Sequence, residues 1–242
     1  MTRRDGRLKD QAREIRIELG YLKYPEGSCL ITAGETKIIC AATFQPKLPG
    51  FLVGSGQGWI TAEYSLLPGS TKERTVREAV QGRLRGRTQE IKRFIGRALR
   101  AVCDLSLLKE NTIIIDCDVI QADGSTRVLS VTGGFCALAQ AVDRLLRQGK
   151  IERNPILEAV AGISVGIVRG EVLLDLNYLE DSSASVDVNL VLTESGRVVE
   201  IQATAEGEPF SKKEFDEMFE LGRKGIEKVI RLQKKVLSEA GI

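Results

Sequence analysis

Short apolar runs alternating with polar positions fill the first sixty or so residues: "EIRIEL", "GSCLITAG", "TKIICAATF" and "GWITAEYS" have strand length and are separated by turn residues, which predicts antiparallel strands. From Arg87 the period becomes helical, with Ile91, Phe94, Ile95, Ala98, Leu99 and Val102 on one face and arginines on the other. A strand, "NTIIIDCDVIQ", comes next. The second helix predicted, from about Ser125 to Gln148, is so rich in small and apolar residues (Gly133, Gly134, Ala137, Leu138, Ala141) that it belongs between layers, with Gly149 as its stop. Four more strand-length runs follow: "AVAGISVGIV", "EVLLDL", "SASVDVNLVLT" and "RVVEIQATAE". A last helix opens on a capping box, Ser211 with Glu214, and carries an apolar stripe through Phe215, Met218, Ile226, Val229 and Ile230. No Pro- or Ser-rich linker interrupts the chain, so the pattern predicts one α+β domain over 1–242, with its C-terminal helix at about 211–240.

Composition changes the picture in three ways. With 242 residues and 43% apolar content, a sizeable core is expected. The apolar runs are short and the opening "MTRRDGRLKDQAREIR" is charged, so neither a signal peptide nor a membrane span is predicted and the expected location is the cytoplasm. Five cysteines (Cys29, Cys40, Cys103, Cys117, Cys136) lack C-x-x-C spacing and sit among apolar neighbours, which reads as reduced, buried thiols. The absence of histidine excludes Ser-His-Asp and Cys-His nucleophile pairs, His-ligated zinc and imidazole acid–base chemistry. Catalysis is left to carboxylates, cations or a metal held by oxygens.

Charge is unevenly spread. Residues 72–100 hold ten Lys or Arg against three Glu in a chain of net charge +2, so the remainder is net acidic. Such a segment can be a solvated helix face, but its lopsidedness favours a polyanion, and nucleic acid is the expected partner.

Two constellations carry candidate chemistry. In "IQADGSTRV" (120–128) a strand gives way to a turn through Asp123, Gly124, Ser125 and Thr126, and then to a helix whose positive end faces the turn. Thr126 and Arg127 there suit phosphate or a phosphodiester. Equally, Ser125 or Thr126 caps the helix and Arg127 pairs with an acid such as Asp123. In "DLNYLEDSSASVDVN" (175–189) strand alternation puts Ser185, Asp187 and Asn189 on one face, with Asp175, Glu180 and Asp181 just before. Asp181 and Asp187 are placed to converge, as ligands for Mg²⁺ or Mn²⁺ or with one carboxyl kept protonated as a general acid. Glu180 reads as a turn acid, and Asp116 and Asp118 are weaker candidates. The Gly-rich "GSGQGWITAEYSLLPGST" (54–71) lacks dinucleotide-binding spacing and leads into a strand, and Trp59 reads as core rather than as a base-stacking platform.

Taken together, "PEGSCLITAGETKIICAAT" (25–43), "GSGQGWITAEYSLLPGST", "GRTQEIKRFIGRALRAV" (86–102), "DCDVIQADGSTR" (116–127), "LEDSSASVDVN" (179–189) and "VEIQATAEGEPFS" (199–211) resemble ribonuclease PH nearly end to end. The resemblance implies mixed β-sheets in βαβ-like halves packed against helices. It also implies a phosphorolytic 3′-to-5′ exoribonuclease that trims transfer RNA precursors with inorganic phosphate, releases nucleoside diphosphates and runs in reverse as a nucleotidyltransferase. It places phosphate binding on Arg87, Ser125, Thr126 and Arg127, the acidic pair that acts as catalytic acid or metal ligand on Asp181 and Asp187, and RNA contacts on Lys72, Arg74 and Arg77. Ser125 departs from the family's usual glycine. A homohexamer built as a trimer of dimers is implied as well. Two rivals are a non-catalytic RNA-binding ring subunit and a hydrolytic, metal-dependent nuclease.

Overall fold

The strands β1 (Ile15–Leu19), β2 (Gly27–Ala33) and β3 (Thr36–Gln45) form an antiparallel meander, each turning inward residues such as Ile17, Ile31 and Ile38 to the core. β4 (Trp59–Leu66) does not continue it. β4 runs parallel to β5 (Thr112–Gln121), and β5 pairs antiparallel with β3, giving the order β1-β2-β3-β5-β4. The expectation of four antiparallel strands is therefore corrected at β4. Alternation shows which face is buried but carries no information on pairing direction; the helix α1 (Gly86–Arg100) between β4 and β5 makes a crossover, and a crossover returns the chain in the same direction.

α2 (Thr126–Arg147) leaves β5 and lies between that sheet and a second, antiparallel one of order β7-β6-β8-β9. Its strands are β6 (Val160–Val168), β7 (Glu171–Leu174), β8 (Val186–Thr193) and β9 (Val198–Ala205). α2 meets β2 and β3 on one side and β6 on the other, which explains its small residues: a Cβ on Gly133 would lie 2.7 Å from Ile31 and 2.8 Å from the Cys40 sulfur. A single turn, α3 (Tyr178–Asp181), joins β7 to β8, and α4 (Lys212–Glu239) packs on β6 from the capping box at Ser211. Buried residues of both sheets, α1, α2 and α4 belong to one hydrophobic cluster, in which fully buried side chains such as Phe94 and Leu138 contribute about 1.5–3 kcal/mol each.

The computed structural model describes residues 3–242, without the side chain of Ala79. All five thiols are free and buried, as predicted, with Cys29, Cys40 and Cys117 side by side across β2, β3 and β5. Among the described residues no helix is long and apolar enough to cross a membrane.

Candidate active site

The turn after β5 is held in a left-handed conformation at two successive residues. Gly124 (φ +78°) needs it, because a Cβ there would fall 2.5 Å from the Leu176 carbonyl oxygen. Ser125 (φ 58°, ψ 17°) follows as the N-cap of α2, in a region that costs a non-glycine residue about 1–2 kcal/mol. Its hydroxyl does not cap the helix. It reaches Ser164 Oγ at 2.8 Å, Asp175 Oδ1 at 3.1 Å and the Leu176 carbonyl at 3.1 Å. Asp175 in turn accepts from the Arg13 backbone N–H (2.8 Å), Nε (2.9 Å) and Nη2 (2.7 Å). The first-turn N–H groups of α2 keep the positive end of the helix dipole, with no intrahelical partners.

A second group of polar side chains, the recess, gathers around the start of α2. Thr126 Oγ1 meets the hydroxyl of Tyr64 at 2.9 Å, and Tyr64 is buried on β4, which pushes its phenol pKa up. Arg127 does not pair with Asp123, whose carboxylate accepts from the Tyr178 backbone N–H. Arg127 Nη1 instead reaches Glu90 of α1 (3.1 Å) and Gln202 of β9, while Nε and Nη2 have no partner among the described residues. Arg87, exposed in the first turn of α1, acts electrostatically with Arg127 on Tyr64, Asp181 and Asp187, which puts all of them in one neighbourhood. Asp187, second residue of β8, is pushed up to about 6, first by burial and then by Asp181, against the opposing pull of Arg127 and an Asn189 amide at 3.1 Å. Asp181, at the end of α3, is raised by desolvation of its carboxyl, although much of its side chain remains open to solvent.

Several candidates stand elsewhere. Glu180 is bound by Arg3 (Nε, 2.7 Å) and Arg7 and completes a capping box with Asn177, and Asp175 is locked to Arg13; both are structural. Asp116 and Asp118 lie with Glu63 on the outer face of the first sheet, and burial raises both. The face of Trp59 is covered by Arg100 (4.1 Å from the ring centre), with Phe51 edge-on at 5.7 Å. Lys72, Arg74 and Arg77 are exposed in the loop before α1. That loop is tied to the helix by Glu78, which accepts from Thr88 Oγ1 (2.6 Å) and the Arg85 N–H (3.2 Å). Sequence reasoning missed Tyr64, Glu90, Gln202, Asn189 and Arg13. Asn189 shared a strand face with Asp187 and was the one with a local signal.

Residues 11–142 match the model for domain 1 of the 3′ exoribonuclease family, and 158–225 that for its domain 2. The chain is 54% identical over 239 residues to the Ribonuclease PH of Moorella thermoacetica, covering 99% of this chain and 96% of that one. The chain belongs to the ribonuclease PH family of 3′ exoribonucleases. A second relative in the family, the Ribonuclease PH of Bacillus subtilis, is 54% identical with 98% of each chain covered. Solved structures of the same fold include the Archaeoglobus fulgidus exosome with RNA bound to the active site (TM-score 0.80, 23% identity, 94% of this chain and 91% of that chain). Rice (Oryza sativa) Rrp46 is another (TM-score 0.78, 20% identity, 97% of this chain and 100% of that chain).

Proposed function

We infer that this chain is a phosphorolytic 3′-to-5′ exoribonuclease that uses inorganic phosphate to shorten RNA, trims the 3′ extensions of transfer RNA precursors, and can run in reverse as a nucleotidyltransferase. The observation that carries the reading is the gathering of two cations, Arg87 and Arg127, within electrostatic reach of the Asp181–Asp187 pair, with Thr126 and Arg127 at the start of α2, in a ribonuclease PH family member. A histidine-free site suits this reaction, because phosphate is itself the nucleophile and no side chain has to be activated.

Arg87, Thr126, the free edge of Arg127 and the first-turn N–H groups of α2 hold phosphate in line with the terminal phosphodiester. One phosphate oxygen bonds to the phosphorus of the terminal nucleotide as the bond from phosphorus to the preceding 3′ oxygen breaks. The terminal nucleotide leaves as a nucleoside diphosphate. The departing 3′ oxygen takes a proton from the Asp187 carboxyl, whose protonated form burial and Asp181 favour.

The donor set is of the kind a hard divalent ion takes: Asp181 and Asp187 are carboxylates close enough to interact with one another, and Mg²⁺ is bound through one or two carboxylates with waters completing its shell. Asp181 and, when ionised, Asp187 would hold Mg²⁺ or Mn²⁺, and Asp187 acts as the acid only in its protonated, metal-free form. When bound, the ion offsets negative charge on the phosphoryl oxygens. Lys72, Arg74 and Arg77, exposed on the basic loop, hold the RNA body. The working particle is a cytoplasmic homohexamer, a trimer of dimers.

The decisive experiment incubates a 3′-tailed RNA with and without phosphate and identifies the mononucleotide released. Diphosphates that require phosphate are expected, and Arg127→Ala should raise the KM for phosphate and lower the rate at low phosphate by about 10²–10³-fold. Monophosphates formed independently of phosphate, or an Arg127→Ala rate unchanged at low phosphate, would overturn the assignment.

A further inference from the structure

Ser125 occupies a backbone conformation that L-residues seldom adopt, at the point where the chain enters the proposed phosphate site. Among the described residues the Ser125 side chain bonds only Ser164, Asp175 and the Leu176 carbonyl. Its hydroxyl turns away from the recess into a polar knot that is closed to solvent: Ser164 (3% exposed), Asp175 (3%) and Arg13 (8%). The proton count closes, since the Leu176 N–H donates to Ser164 Oγ (3.0 Å), Ser164 can donate to Ser125 Oγ, and Ser125 can donate to Asp175 or to the Leu176 carbonyl.

The same knot grips the backbone of the turn. Arg13 Nη1 donates to the Asp123 carbonyl, and Thr36 Oγ1 donates to the Gly124 carbonyl (2.9 Å) while accepting the Asp123 N–H (3.0 Å). Two carbonyls and one side chain of the turn are thereby fixed from beneath, and the N–H groups at the start of α2 are left to the recess. Arg13 lies in the segment leading into β1, and Asp175, also left-handed (φ 52°), directly follows β7. The clamp therefore joins three parts of the chain distant in sequence.

We propose that Ser125 and Asp175 are positioning residues for phosphate: the Arg13–Asp175–Ser125 clamp presets the left-handed turn, so that the anion-binding N–H groups are in place before phosphate arrives. This rests on the phosphate reading of the recess, and it assigns to Ser125 a role through its buried hydroxyl rather than through contact with the anion. Preorganisation of this kind acts on phosphate affinity more than on the chemical step.

The test compares Ser125→Ala with Ser125→Gly in the full-length protein, measuring KM for phosphate, kcat and RNA binding. Alanine keeps the steric penalty of the left-handed turn and loses the clamp; glycine adopts the turn without that penalty. Ser125→Ala should raise the phosphate KM about tenfold, the fold-change of one hydrogen bond, with kcat and RNA binding within about threefold of the parent. Ser125→Gly should restore phosphate KM to within about threefold of the parent. Asp175→Asn should raise it too, and adding Ser125→Ala to Asp175→Asn should cost nothing further, because both act through one clamp. An unchanged KM in Ser125→Ala overturns the proposal. So does a Ser125→Gly as impaired as Ser125→Ala, which means the hydroxyl does not act by offsetting the strain of the left-handed turn, or fully additive losses in the double variant. Arg127→Ala in parallel separates this from the underlying reading: if that variant also leaves phosphate dependence untouched, the phosphate site itself is wrong. If Asp175→Asn does not fold, the alanine–glycine comparison alone decides.

Discussion

Asp175 and Asp187 sit twelve positions apart in the same half of the chain, on opposite sides of the turn that starts α2, and their environments drive them in opposite directions. Burial works to raise both. At Asp175 it is outweighed by Arg13, whose guanidinium and backbone N–H both bond the carboxylate, so the group stays well ionised. At Asp187 nothing outweighs it: the arginines of the recess stand off, a single Asn189 amide donates, and Asp181 adds like charge, leaving a carboxyl at about 6. A satisfied carboxylate is a fastener, whereas an under-satisfied one in an open recess is poised to exchange a proton or take a ligand. The recess bears a cost that the clamp beneath it offsets.

The largest effect that would sharpen this contrast is on rate. Asp187→Asn removes the proton donor and preserves shape, so kcat should fall by about 10²–10⁴-fold while the KM for phosphate stays near that of the parent. Asp175→Asn should show the reverse split, through phosphate KM. A parental kcat in Asp187→Asn would place the proton transfer elsewhere.

Next in size is stability. Arg13→Leu leaves the buried Asp175 carboxylate with Arg7 Nη1 at 3.5 Å as its remaining cation and should cost about 3 kcal/mol at pH 7, read from chemical denaturation. The sign with pH follows from the depressed carboxyl. Asp175 in the folded protein lies below its ordinary value of 3.8, so its stabilisation is present above 3.8 and is lost as pH falls through the folded value. The gap between parent and Arg13→Leu should therefore narrow in acid, and a gap independent of pH would show that Asp175 is not the partner that matters.

How far this contrast was legible in the sequence depends on the range of the interactions behind it. Element positions were readable because hydrophobic period is local: the buried α2, the strand before it and the Ser211–Glu214 cap all appear where the pattern puts them. The parallel pairing of β4 with β5 was not, since alternation is blind to direction. Within the recess, Asp187 stood out as a carboxylate on an otherwise apolar strand, the turn before α2 singled out Thr126 and Arg127, and the resemblance to ribonuclease PH added Arg87. Tyr64, Glu90 and Gln202 did not stand out, because each becomes a site neighbour only when β4, α1 and β9 are brought to the start of α2. Ser125 shows the same limit in sharper form. Its hydroxyl has cap chemistry in the sequence, yet the fold gives it Ser164 and Asp175, 39 and 50 residues away.

The smallest effect is also the one that most directly opposes the two carboxylates. Because the Asp187 carboxyl in the folded protein (about 6) lies above the unfolded value of 3.8, its ionised form is disfavoured by folding. The penalty is fully present above pH 6, where the group is ionised in both states, fades as pH falls from 6 towards 3.8, and is gone only below 3.8, where it is protonated in both. Asp187→Asn should thus be more stable than the parent by roughly 1–2 kcal/mol at pH 7 in the presence of a chelator, the partial burial of the group keeping the gain below the full value of the shift. The gain should shrink in acid, just as the Arg13→Leu deficit does, although one variant is stabilised and the other destabilised. Thermal unfolding at pH 7 and pH 4 reads both. A variant no more stable than the parent at pH 7 would mean that Arg87 and Arg127 already satisfy Asp187, and the contrast between poised and fastened carboxylates would fail.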